Sequence, residues 1–164
     1  MSRDLILGYG NPDRQDDGVA WHILSGVHHK LGRIVPESFE EGLWPTGDNP
    51  DFLFTLQLTP ETADTIATFD RVCFVDAHTG NIEGDFHFER LIAAYTQSPF
   101  THHMTPATCL YLVEHIYQQK PQAVLVSVRG FEFEFSHSLS KKTELLAQKA
   151  VMQIMSWLKS SNEA

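Results

Sequence analysis

The sequence predicts an α/β fold, a single-domain sandwich over residues 1–164 in which a mostly parallel, twisted β-sheet carries helices on both faces. Three observations lead there. Short apolar runs bounded by turn residues alternate along the chain with segments whose apolar residues recur at helical spacing. No repeat, low-complexity tract or long polar linker divides the sequence, and the Pro/Gly-rich stretch from Gly42 to Pro50 is too short to separate two cores. With 42% hydrophobic and 20% charged residues over 164 positions, the composition is that of one globular domain. A domain of this size buries roughly 70% of the surface its unfolded chain exposes, so it needs no metal or disulfide to fold.

The elements follow in order. Leu5-Ile6-Leu7 is a buried-strand pattern that runs into the turn Gly8-Tyr9-Gly10. After Asp16-Asp17, the residues Val19, Ile23, Val27 and Leu31 recur at helical spacing as far as Gly32. Phe52 to Leu58 reads as a second strand. Thr59-Pro60-Glu61 then starts a helix that runs to Phe69, with Thr59 as cap and Pro60 at the first helical position. Val72 to Val75 is a continuous apolar strand ending in Asp76, and Phe86 and Phe88 alternate with polar residues as a half-exposed antiparallel edge strand does. Thr105-Pro106 opens a helix with Cys109, Leu110, Val113 and Ile116 on one face. Ala123 to Val128 is the most β-like run. Ser140 caps a last helix carrying Leu145, Leu146, Ala150, Ile154, Trp157 and Leu158. Phe131, Phe133 and Phe135, alternating with Glu132 and Glu134, read as a strand extension with one packed face.

Charge and composition exclude several classes. Twelve basic against 21 acidic residues give a net charge of −9 with no Lys/Arg cluster, which is unsuited to nucleic-acid backbones and anionic membranes. No apolar run approaches the roughly 20 residues of a bilayer span, and Met-Ser-Arg-Asp leads straight into a strand, so the expected location is the cytoplasm. Cys73 and Cys109 lie far apart in apolar segments and are expected to be reduced core thiols.

In a mostly parallel sheet, ligands bind beyond the carboxyl ends of the strands. The loop after Leu7 is not a dinucleotide site: the third glycine of G-x-G-x-x-G falls on Asp13, and Asp13, Asp16 and Asp17 would repel a pyrophosphate. It suits a cation. One of Asp16 and Asp17 suffices to cap the helix, which leaves the second carboxylate without a capping role. Asp76 contributes nothing to packing at a strand end and needs a partner or water. With an imidazole of His102-His103, these carboxylates form an open site for a borderline divalent metal, one that can share its ion with a substrate. The remaining histidines, His22, His28, His29, His115 and His137, read as members of solvated faces.

Leu7-Gly8-Tyr9-Gly10-Asn11-Pro12 followed by Asp16-Asp17-Gly18 resembles the N-terminal signature of the hydrogenase maturation endopeptidases, roughly G-x-G-N-x-x-x-x-D-D-G. The likeness continues in Leu58-Thr59-Pro60-Glu61, in Val72 to Ala77, in His102-x-x-Thr105-Pro106, and in Arg129 to Phe133 leading to Leu139-Ser140. The resemblance implies a cytoplasmic endopeptidase that removes the C-terminal extension of a NiFe hydrogenase large-subunit precursor after nickel insertion. The nickel would be supplied by the precursor, and no tightly bound metal of the chain's own is expected. The family's metal-contacting positions fall on Asp17, Asp76 and His102, with His103 as the other choice for the imidazole. Asp17 and Asp76 would then be both ligands and catalytic groups.

Asp16 is a candidate either to position the attacking water or to cap the helix. Gly8 and Gly10 would let the backbone approach the substrate, and Asn11 would bond the loop to itself. Val19-Ala20, His78 and the Trp44-Pro45 loop depart from the family pattern: His78 could add a ligand or support one, and the loop could touch the precursor. There is no H-E-x-x-H, no G-x-S-x-G and no cysteine placed as a nucleophile. A noncatalytic module or assembly chaperone that senses a loaded metal centre is the alternative reading. Loss of a C-terminal peptide from the partner separates the two.

Overall fold

In the computed structural model, residues 2–96 and 103–160 are described. Five strands, β1 (Asp4–Tyr9), β2 (Asp51–Thr55), β3 (Arg71–His78), β4 (Phe86–Arg90) and β5 (Gln122–Arg129), form one sheet in the order β2-β1-β3-β5-β4. All pairings are parallel except that of β4 with β5, so the antiparallel edge strand expected at Phe86 and Phe88 is present. Four helices accompany the sheet: α1 (Val19–Lys30), α2 (Pro60–Ile66), α3 (Pro106–Tyr117) and α4 (Lys141–Ser160).

Strand alternation divides the core into two layers. Ile6, Phe52, Phe54, Cys73, Val75, Val126 and Val128 face α1 and α4, where they pack with Ile23, Val27, Ala150 and Ile154. Leu5, Leu7, Leu53, Val72 and Phe74 face α2 and α3 and pack with Ala63, Ile66, Cys109, Leu110 and Val113. Both cysteines are free and buried in these layers. Burial pushes the Cys109 thiol up to about 12 and Cys73 higher still, so neither supplies a thiolate.

The helix starts follow local chemistry. Thr59 and Thr62 form a reciprocal capping box ahead of Pro60, Thr105 Oγ1 accepts from Thr108 N at 3.1 Å, and Ser140 Oγ accepts from Thr143 N at 3.4 Å. At the opposite edge of the sheet the Arg71 guanidinium donates to both Asp4 carboxylate oxygens at 2.8 Å and stacks on Trp157 at 4.0 Å. This buried pair ties β1, β3 and α4 together at the end remote from the carboxyl edge.

Several expectations need correction. β2 stops at Thr55 and leaves Leu56–Leu58 as a loop; α2 stops at Ile66 rather than Phe69. Asp76 does not end its strand, because Ala77 and His78 continue in register with Val128 and Arg129. Residues 131–135 are not a strand, and Phe135 is 90% exposed. Ile116 and Leu145 point to solvent rather than to the core. Among the described residues no helix is long and apolar enough to cross a membrane.

Candidate functional site at the carboxyl edge of the sheet

A pocket of about 390 Å³ opens beyond the ends of β1, β2 and β3, lined by Tyr9, Gly10, Arg14, Asp17, Leu56, Leu58, Asp76, His103 and Met104 among others. It contains three of the groups singled out in the sequence, Asp17, Asp76 and His103. His102 lies outside the described residues.

Asp76 carries the strongest signature. Its Oδ2 accepts the Tyr9 hydroxyl at 2.6 Å, while its Oδ1 is buried with no hydrogen-bond partner. A buried carboxylate oxygen without a partner costs free energy that a ligand or a bound water recovers. Burial pushes Asp76 up to about 6; the Tyr9 and Ser127 hydroxyls oppose this by favouring the charged form, and the nearby Asp17 charge adds to it. The Tyr9 hydroxyl is held well above its ordinary value, first by burial and then by the Asp76 charge, so it remains a donor. The sequence did not single out Tyr9 as the partner of Asp76. Alternation along β1 places it on the side of Leu5 and Leu7, the layer that also contains Phe74 and, two residues on, Asp76.

Asp17 is held differently. Its Oδ2 accepts from Asn11 N at 3.0 Å, and Asn11 Oδ1 in turn accepts from Asp13 N at 3.0 Å, so the loop does bond to itself as expected of Asn11. Gly10, at φ +143°, is where only glycine fits: a Cβ there would lie 2.2 Å from Asp17 O. Gly8 abuts Leu24 and Ala20 of α1, and Gly10 lines the pocket.

Asp16 is held apart from Asp17 and Asp76. It is fully buried and does not line the pocket. Its Oδ2 accepts from Phe131 N at 2.8 Å, Glu132 N at 2.9 Å, Ser140 Oγ at 2.7 Å and Thr143 Oγ1 at 2.9 Å, and its Oδ1 from Ser140 N at 2.8 Å. It makes no cap to α1. Burial would raise its pKa, but the Ser140, Phe131 and Glu132 hydrogen bonds outweigh that and hold it below the ordinary carboxylate value. Asp16 joins the acidic loop to the start of α4 and takes the backbone donors of residues 131 and 132, which is why that segment cannot be a strand. Gly130 permits the close approach: a Cβ there would lie 2.9 Å from Asp16 Cβ.

Other residues sit elsewhere. Trp44 lines a separate cleft with Arg33, Asp51 and Phe52, at the start of β2 and away from the pocket. His137 is paired rather than merely solvated, its Nε2 lying 2.7 Å from Asp13 Oδ1. His78 is buried and does not line the pocket. Among the described residues no three His, Cys, Asp or Glu side chains stand close enough together to hold a metal ion.

The chain matches no protein-family model and no curated protein. Solved structures do match. The hydrogenase maturating endopeptidase HYBD from E. coli superposes with a TM-score of 0.67 at 20% identity, covering 97% of this chain and 93% of that one. The NiFe hydrogenase maturation protease HycI from Thermococcus kodakarensis gives 0.65 at 22% identity, covering 96% and 93%. The hydrogenase 2 maturation peptidase from Thaumarchaeota archaeon SCGC_AB-539-E09 gives 0.60 at 19% identity, covering 96% and 98%. Over nearly its whole length, this chain has the fold of the solved hydrogenase maturation endopeptidases.

Proposed function

We propose that the protein is an endopeptidase that removes the C-terminal extension of a NiFe hydrogenase large-subunit precursor, recognising the nickel that the precursor already holds. The observation that carries this reading is the Asp76 carboxylate, fixed through Oδ2 by Tyr9 and left open at Oδ1, in one pocket with Asp17 and His103. Carboxylates suit a borderline divalent ion that arrives with the precursor's own ligands, and an imidazole from the same edge would join them when that ion is present.

In this reading Asp17 and Asp76 contact the substrate's nickel, together with an imidazole from His102 or His103. The nickel polarises the scissile carbonyl or its attacking water. One water is consumed: its oxygen bonds to the carbonyl carbon, the C–N bond breaks, and the amine leaves with a proton. Tyr9 keeps Asp76 oriented throughout. Asp16 maintains the loop and takes no part in the chemistry. In this reading the protein acts in the cytoplasm.

The test is the intact mass of a nickel-loaded precursor incubated with the purified protein. Release of one defined C-terminal fragment is expected. A precursor of unchanged mass that nonetheless forms a stable complex would replace the peptidase reading with that of a metal-sensing chaperone.

A further inference from the structure

The pocket that contains Asp17 and Asp76 also contains a cation that the proposed chemistry leaves unused. Arg14 is the one lysine or arginine among the described residues that line it. Two carboxylates share that cavity, yet the ion pairs among the described residues are Arg71 with Asp4, Arg129 with Asp85 and His137 with Asp13, and Arg14 belongs to none of them. No described residue accepts a hydrogen bond from its guanidinium. A guanidinium stays protonated at any working pH, so its donors do not depend on a tautomer or a titration.

The backbone under Arg14 is fixed on both sides. Arg14 N donates to Asn11 O at 3.0 Å and Asp17 N donates to Arg14 O at 3.1 Å, which closes the turn that carries Asp17. The same loop is joined to residues 132–137: Gln15 N donates to Ser136 O at 2.9 Å, Ser136 N to Asp13 O at 3.3 Å, and Asp16 N to Glu132 O at 3.1 Å. Gln15 itself takes φ +52°, a left-handed conformation that costs a residue with a side chain, and its Oε1 accepts from Glu134 N at 3.2 Å. None of these bonds uses the guanidinium. The frame therefore fixes where the Arg14 side chain starts and leaves its head to an acceptor that enters the pocket.

The charge of the pocket selects that acceptor. Asp17 and an ionised Asp76 repel a bound anion, whereas a peptide carbonyl is neutral when it binds and gains negative charge only as water attacks. A cation among these carboxylates thus favours the transition state over the bound substrate. We propose that Arg14 is a catalytic residue whose guanidinium receives the scissile carbonyl oxygen and stabilises the charge that develops on it. This rests on the endopeptidase reading and divides its labour, with nickel acting on the attacking water and Arg14 on the carbonyl. As the water oxygen bonds to the carbonyl carbon, the C=O π pair moves onto the oxygen beside Arg14. The pair returns when the C–N bond breaks, and the amine leaves with a proton from the water.

The test follows processing of nickel-loaded precursor by wild type, Arg14→Gln, Arg14→Lys and Arg14→Ala, with the Tm of each protein. In Arg14→Gln kcat should fall about 100-fold with KM within about threefold, and Arg14→Lys should lose less. The Tm should not change, because the guanidinium has no described partner in the fold. Guanidinium chloride below its denaturing range should restore about tenfold to kcat of Arg14→Ala, and sodium chloride at the same ionic strength should not. A kcat within about twofold of wild type in Arg14→Gln, or a raised KM with kcat unchanged, overturns the proposal. Lost activity that comes with a lowered Tm and is not restored by guanidinium makes Arg14 part of the loop framework and overturns it too. If wild type itself releases no fragment, the endopeptidase reading falls and this role falls with it; cleavage by wild type with any of the preceding results removes the role of Arg14 alone.

Discussion

Asp16 and Asp17 are adjacent in the chain and serve opposite sides of it: the Asp16 carboxylate is buried against Ser140 at the start of α4, and Asp17 lines the pocket beside Asp76. The geometry of the 3-10 turn Gln15–Gly18 accounts for this. Successive residues on a turn of three residues point about 120° apart, so an adjacent pair cannot present both side chains to one ligand. One acid of the pair is enclosed by hydrogen bonds to the start of α4, and the other faces the pocket.

Asp16→Asn is therefore a stability variant. The amide would set an NH2 group against a site built from five donors, costing about 3 kcal/mol, or roughly 6–12 °C in Tm for a chain of this length. The folded pKa of Asp16 is lowered, so its stabilisation is present at neutral pH and is lost as pH falls through that lowered value. Thermal melts should show the wild-type advantage at pH 7 shrinking towards acid. Equal melting at pH 7 would remove Asp16 from its structural role.

Asp76 behaves in the opposite sense. Its pKa is raised from 3.8 to about 6, so the folded protein binds the proton more tightly than the unfolded chain between those values. Stability without ligand should then fall as pH rises from about 4 to above 6, by up to about 3 kcal/mol. Asp76→Asn should melt higher than wild type at pH 7.5, with the gain vanishing near pH 4, and should not process precursor. A variant less stable than wild type at pH 7.5 would contradict the unsatisfied-oxygen account.

Tyr9→Phe removes the donor that favours the Asp76 carboxylate. The fold should persist because the ring stays in place. The pKa of Asp76 should rise further, so the acid limb of the pH profile for processing should move to higher pH, with kcat near pH 6.5 falling about tenfold. An unshifted profile would show that Tyr9 does not orient Asp76.

Much of this was legible in the sequence, for identifiable reasons. Thr59-Pro60, Thr105-Pro106 and Ser140 mark helix starts because capping is local chemistry, and each start is where these residues put it. The continuous apolar runs at Leu5–Leu7 and Val72–Val75 become central strands because parallel strands are covered on both faces. The misreadings are long-range. β3 continues through Asp76 because its neighbours in β5 are paired there, and Phe131–Phe135 fails as a strand because Asp16, more than a hundred residues earlier, takes its backbone donors. At the site, the convergence of Asp17, Asp76 and His103 on one edge followed from topology. The hydrogen bond from Tyr9 to Asp76 did not, since it requires β1 and β3 to be neighbours in a particular register.

The most direct measurement compares the intact mass of one large-subunit precursor, prepared with and without nickel, after incubation with wild type and with Asp17→Asn. Loss of a single C-terminal fragment from the nickel-loaded precursor with wild type alone is the predicted result. Equal cleavage of the nickel-free precursor, or cleavage by Asp17→Asn at the wild-type rate, would contradict recognition through nickel held between the precursor and Asp17.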